Sequence, residues 1–321
     1  TSAGAISITG DASDTVSLSG TSNTTTITSG GADTEDISIS GLIDDAANDT
    51  TLSLNAGALG DVSLGAAVGS GNAIAGLTIS NAYDATLQAV STAGGAISVG
   101  TDSSTRLGGT LSLNGDLASE NGGATAGAIS LYADDILLEA TGTGSISLDA
   151  DAATTDAVIT IATDAAGSLS SSTAWEDGIT INSGSANTVL TNAVLSSLDH
   201  LDLTANVATL GDTSVGDGAG NGNDGLDINL VGDLTLSGDI TMGDTSNNAG
   251  AIALDGVGGN IVLSSGGASD ASTVTISTNV SGTDAAISLG TIEDGGSDIA
   301  LTIDTGSANL TTTSTIGASD P

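Results

Sequence analysis

The chain has 321 residues, 39 acidic side chains and a single basic one, Arg106, for a formal net charge of −38. That balance excludes a nucleic-acid binder, which needs Lys and Arg to displace counterions, and a phosphate loop of the lysine type. The lack of Cys excludes disulfides, thiolate metal sites and Cys nucleophiles, and no run of about 18 apolar residues offers a membrane-inserted helix.

The acidic residues are 34 Asp and only five Glu: Glu35, Glu120, Glu139, Glu176 and Glu293. Asp bonds nearby backbone N–H groups and favours turns, whereas Glu favours helices. With Lys, Glu and Gln nearly missing, little helix is expected. Disorder does not fit either, because 38% of residues are hydrophobic and they fall into a pattern.

That pattern is a triplet of aliphatic, small polar, aliphatic. It begins at Ile6–Ile8 and Val16–Leu18 and continues through Ile37–Ile39, Leu52–Leu54, Val62–Leu64 and Leu77–Ile79. In the middle of the chain come Ile97–Val99, Leu111–Leu113, Ile129–Leu131, Ile146–Leu148, Ile159–Ile161 and Ile179–Ile181. Leu201–Leu203, Ile228–Leu230, Leu234–Leu236, Ile240–Met242 and Ile252–Leu254 follow, and Ile261–Leu263, Val274–Ile276, Ile287–Leu289 and Leu301–Ile303 finish the series. Strict alternation is the strand period, with one face buried and one wet. The gaps are rich in Gly, Asp, Asn and Ser, which are turn residues.

Periodic short strands with Gly-rich turns predict an all-β chain, as a parallel β-solenoid of degenerate repeats or as tandem β-sandwich domains. The solenoid is favoured. A sandwich core recruits large aromatics, and this chain has one Trp, two Tyr and no Phe. Its single Pro is Pro321, so no linker stands out, and residues 1–321 read as one continuous solenoid. At roughly 20 to 35 residues per coil the chain makes on the order of 9 to 16 coils. At about 4.8 Å per coil that is a rod of roughly 45 to 75 Å. No polar cap is recognisable near Ile6 or Ile316, so self-association end to end, or stacking on further repeats of the same chain, is expected.

The runs Gly232–Met242 and Gly127–Ile136 resemble the repeats of filamentous-haemagglutinin-like bacterial surface adhesins. The resemblance implies a right-handed β-helix, secreted and displayed on the cell surface as a rod. It leaves open an adhesin stalk or a surface filament subunit, with cell-surface glycans as possible partners. The expectation is therefore an extracellular structural protein without catalytic activity; the alternative is a calcium- or carbohydrate-binding solenoid module.

Residues 219–227 are similar to one calcium-binding nonapeptide of the RTX type, with Ala219 in place of its first Gly. Asp224 would supply a hard carboxylate oxygen, and Asp217 and Asp227, with Asp212, lie close enough in sequence to add ligands. The plain alternative is a Gly/Asn turn. Asp44-Asp45, Asp134-Asp135 and Asp149 with Asp151 are further acidic pairs. Paired carboxylates can serve glycoside hydrolysis. Pectin-cleaving β-helix enzymes, however, also carry a Gly-His-Gly and a basic motif that this chain lacks, so no catalytic carboxylate is expected. Neighbours in a strand face opposite ways, so Asp199 and the only histidine, His200, are not expected to form a dyad. Arg106 is expected to pair with a nearby carboxylate such as Asp102. Trp175 and Glu176 are placed in a loop leaving the solenoid.

Overall fold

The computed structural model describes residues 4–317 except 12, 20–22, 31–34, 121–123, 141–143, 174–175, 192–193, 217–224, 243–248, 265–272, 296–298 and 315. Every expected triplet lies in a strand, and no helix occurs among the described residues. All strand pairs are parallel and join one coil to the next, which makes the chain a β-solenoid of about 10 turns.

Three faces recur in rotation. On the first face one inward ladder runs Ile6, Ile37, Val62, Ala85, Leu111, Ile136. It continues Leu169, Leu195, Thr213, Ile240, Ile276, Ile303. The second face carries Val90, Leu117, Leu148, Ile181, Leu203 and Ile228 in register. The third carries Ile27, Leu54, Ile79, Val99, Leu131, Ile161 and Leu190, and Leu210, Leu236 and Leu263 farther on. Alternation explains the arrangement: Leu111, Leu113, Leu131, Ile136 and their like are 0% exposed. The Ser and Thr between them point outward, as in the row Ser53, Thr78, Ser98, Ser130, Thr160. Each turn thus buries a few aliphatics against its two neighbours, and the core is a stack of ladders rather than one centre.

Turn length is uneven. The step on the first face is 18 residues from Leu195 to Thr213 and 36 from Ile240 to Ile276, somewhat wider than the expected range. The inward ladder carries across these unequal steps, with local register shifts such as the one between Leu195 and Leu198. The strand Ile129–Leu138 shows how a corner can be crossed without a break. Up to Tyr132 it pairs on the third face, and from Ala133 onward on the first. Eleven steps at about 4.8 Å give a stack of roughly 53 Å.

Candidate functional site

The carboxylates are the chemistry-bearing groups of this chain, and eight of them share one job. On the first face the residue just before the inward aliphatic is Asp36, Asp61 and Asp84 on three successive turns. Asp36 Oδ1 accepts the N–H of Asp61 at 3.0 Å, Asp61 Oδ1 that of Asp84 at 3.1 Å, and Asp84 Oδ1 that of Thr110 at 2.7 Å. The same contact joins Asp135 to Ser168 at 2.9 Å, Asp212 to Asp239 at 3.0 Å and Asp239 to Thr275 at 2.7 Å. The other faces repeat it, with Asp116 to Ser147 and Asp233 to Asn260, both at 2.8 Å. In each case the donor is the residue in register one turn later. A backbone N–H left without a partner is costly, and here the carboxylate supplies one. A carboxylate on a one-carbon stem spans the gap between turns. Lys and Arg have no acceptor, and the longer Glu would have to fold back. These eight Asp thus stitch one coil to the next, seven of them one residue before a strand and Asp135 inside one.

The acidic pairs are likewise occupied by structure. Asp44 Oδ1 accepts from the N–H groups of Gly71 at 3.1 Å and Asn72 at 3.3 Å. Asp45 is 0% exposed. Its carboxylate accepts from the N–H groups of Thr50 at 2.6 Å, Asp49 at 2.8 Å and Ala47 at 3.2 Å. Burial pushes its pKa up, but those donors outweigh burial and hold it below the usual value. Asp149 accepts from the Asp151 N–H at 3.1 Å, and Asp151 from the Asn182 amide at 3.2 Å. Asp156 takes the Ser185 hydroxyl and N–H at 2.6 and 2.7 Å, which lowers its pKa to about 2.

Of the expected calcium ligands, Asp217 and Asp224 lie outside the described residues, as does most of the nonapeptide. Asp212 is committed to the Asp239 N–H. Asp227 is exposed on the strand Gly225–Leu230 and accepts from the Asn229 amide at 3.1 Å. Its register partner one turn earlier is Asp202. Burial raises the Asp202 pKa, the His200 ring pulls it down, and the Asp227 charge raises it again. No group of three or more His, Cys, Asp or Glu arranged to hold a metal occurs among the described residues.

Arg106 does not pair with Asp102. Its Nε donates to Asp134 Oδ1 and its Nη2 to Asp164 Oδ1, both at 2.5 Å, and Nη1 donates to the Ser103 carbonyl at 2.8 Å. The hydrogen bond it donates to Asp134 is the main reason its pKa is raised. Asp102 instead closes its own turn through the N–H groups of Ser104 at 2.7 Å and Thr105 at 2.9 Å. Sequence proximity misleads in a solenoid: residues 28 and 58 positions away stand one and two turns along, nearer than many local neighbours. Trp175 lies outside the described residues.

The second departure is at His200. Nδ1 lies 3.2 Å from Asp199 Oδ2, and Nε2 lies 3.0 Å from Ser145 Oγ. Strand alternation does not govern this pair, because Asp199 is in a bend between the strands Val194–Leu198 and His200–Ala205. Two residues earlier Ser197 takes φ 57°, and the corner lets adjacent side chains converge. In register, His200 sits between Gly178 on the preceding turn and Gly225 on the next. A Cβ at Gly178 would collide with the imidazole. That space lets the ring lie across the backbone and reach Ser145, two turns away. Asp199 is 0% exposed and Asp177, one turn before it, 2%. Ser171 Oγ donates to Asp177 Oδ2 at 2.8 Å. Burial raises the Asp177 pKa, partly offset by the Ser171 hydroxyl. Nothing in sequence spacing flags the meeting of Ser145 with His200, since they are 55 residues apart.

The chain matches no protein-family model, no curated protein and no solved structure. The stacked parallel strands and the triplet pattern are consistent with a repetitive β-helix protein.

Proposed function

We propose that this chain is a rod-forming part of an extracellular structural protein, either an adhesin stalk or a surface-filament subunit. The supporting observation is the inward ladder that continues through parallel pairing from Ile6 to Ile303 over very unequal turn lengths. A stack of this kind is extended by adding turns. The strands Ile6–Ile8 and Leu310–Thr312 have outer edges of the same kind as those paired inside, and these edges would take further coils, of the same chain or of a second copy. Secretion to a cell surface rests on the repeat resemblance, and the outward Ser, Thr and Asp rows would face surface glycans. Electron microscopy of the purified chain, with labelling of intact cells by antibody, tests the reading. Rods of about 50 Å or longer filaments, and surface label, are expected. Compact particles, or label only in lysed cells, would refute it.

A second reading, calcium bound between turns, is favoured by Asp202 and Asp227 stacked in register, each bearing a carboxylate outward. A divalent cation would relieve the repulsion between them. Calorimetry with calcium and melting with and without chelator decide it, and an unchanged melting temperature removes calcium as a structural ligand.

A further inference from the structure

We propose that Ser145, His200 and Asp199 form a nucleophilic site on the second face, able to take an acyl group from an activated ester. Ser145 Oγ is exposed on the strand Gly144–Asp149. Its hydrogen-bond partner, His200 Nε2 at 3.0 Å, belongs to a ring only 5% exposed. The other ring nitrogen meets the fully buried Asp199 carboxylate at 3.2 Å. A nucleophile at hydrogen-bond distance from a base, and that base oriented by a buried third group, is the arrangement that activates a serine hydroxyl.

The surroundings are arranged around the ring. On this and the neighbouring turns the face presents Ser147, Thr180, Asp202 and Thr204 outward and aliphatics such as Ile179 and Leu201 inward, and the imidazole breaks that pattern. It is accommodated only because Gly178 gives up its side chain. A local break of an otherwise uniform repeat, supported by a compensating residue, points to a site. Thr180 Oγ1 stands 3.2 Å from Ser145 Oγ. Its hydroxyl hydrogen can turn to the oxygen that becomes negative when Oγ adds to a carbonyl. One hydroxyl donor is a modest oxyanion stabiliser, so the matching substrates are esters with good leaving groups. Open placement on a flat face suits the end of an extended chain, such as an acylated glycan.

Ser145 Oγ adds to the ester carbonyl carbon while its proton passes to His200 Nε2. The carbon–oxygen bond to the leaving group breaks, and His200 returns the proton to the departing alkoxide or phenoxide. The acyl group is left on Oγ. Water then adds to the acyl carbon as His200 Nε2 takes its proton; the carbon–Oγ bond breaks, His200 returns the proton to Oγ, and the carboxylic acid departs with Ser145 restored. Asp199 is a positioning residue. By accepting the Nδ1 hydrogen it leaves the Nε2 lone pair aimed at Ser145.

The site is independent of the rod proposal, and its test reads labelling, not shape. The folded chain is incubated with an aryl fluorophosphonate, whose phosphorus–fluorine bond breaks as Oγ bonds to phosphorus, and the adduct is mapped by mass spectrometry. One dominant adduct on Ser145 is expected. It should vanish in Ser145→Ala and slow about 100-fold or more in His200→Gln, the usual size of a general-base contribution. Asp199→Asn should lower the rate per folded molecule at every pH, which a purely structural role would not do. Should either of these two variants fail to fold, the pH profile of the unsubstituted chain decides. Labelling that rises with pH in one step and then levels off, as for a single base losing its proton, supports the site. A flat profile, no adduct, or adducts spread evenly over the serines would overturn it.

Discussion

Replacing Asp84 separates the two things an Asp does in this solenoid. Its Oδ1 accepts the Thr110 N–H of the next turn at 2.7 Å, and its own N–H is held by Asp61 at 3.1 Å. Asp84→Ala removes the acceptor and the charge together. Asp84→Asn removes the charge but keeps an oxygen on the same stem. A hydrogen bond to a charged group contributes about 1.5–3 kcal/mol. Both residues are only part-buried, and water can replace the acceptor, so about 1–2 kcal/mol is the fitting range here. Against that stands repulsion from the adjacent Asp61. A pair about 5 Å apart in a water-like dielectric repels by about 0.8 kcal/mol before salt screening. Asp84→Asn should therefore fall within about 0.5 kcal/mol of the unsubstituted chain, while Asp84→Ala loses about 0.5–1.5 kcal/mol. Urea denaturation of the three proteins at low and high salt measures both terms. The Ala–Asn difference should survive high salt, and the Asn effect should shrink. Equal stability of the two variants would refute the stitching role.

The pH dependence has a defined sign. Asp177 and Asp202 have raised pKa values, from burial first, so stability grows as pH falls through their folded values towards the usual carboxylate value near 4. Asp45 is lowered, and Asp156 lowered to about 2, so their contribution holds above about pH 4 and is lost as pH falls towards 2. Melting temperature should peak in mild acid, between about pH 4 and 5; a steady fall from pH 7 to pH 5 contradicts the assignment. Arg106→Gln should cost about 1 kcal/mol or less, because the pair with Asp134 and Asp164 is partly exposed, at 26% and 38–47%. It should also leave the denatured chain uncut by trypsin, while the denatured unsubstituted chain gives two fragments, both read on a gel.

The fold was legible because ladder positions in the regular turns use the same residue classes. Triplets such as Leu111–Leu113 and Ile129–Leu131 mark inward residues whatever the turn length. Strands that carry small or polar residues inward were not legible. Ala85–Leu87, Ala208–Leu210 and Thr213–Val215 are strands in which Ala or Thr takes a ladder position, and stacking on aliphatic neighbours makes up for weak intrinsic preference. The site was least legible because it depends on which turn lies beside which. Asp84 and Thr110 are 26 residues apart, and Ser145 and His200 are 55. With turns of 18 to 36 residues no fixed period predicts such meetings. The expectation that Asp serves turns caught Asp45 and Asp102 but not the contacts between coils. Those need the register first.

An unexplained choice remains in the stitching positions. Asn would span the same gap and carry no charge, yet eight of these positions hold Asp: 36, 61, 84, 116, 135, 212, 233 and 239. Part of the reason is bond strength, since a charged acceptor holds an N–H more tightly. The rest lies outside the single coil. Seven of these Asp stand where a strand begins, and the Ser and Thr rows beside them are surfaces on which another β structure could settle. A column of like charges keeps neighbouring rods apart. Changing all eight to Asn would lower the net charge from −38 to −30. The substituted chain should fold with stability within about 2 kcal/mol of the original, the lost bond strength being offset by lost repulsion. It should also associate sideways as concentration rises, and sedimentation velocity would show broad, heavy species. If it sediments like the unsubstituted chain at every concentration, the columns serve the inside of the rod alone.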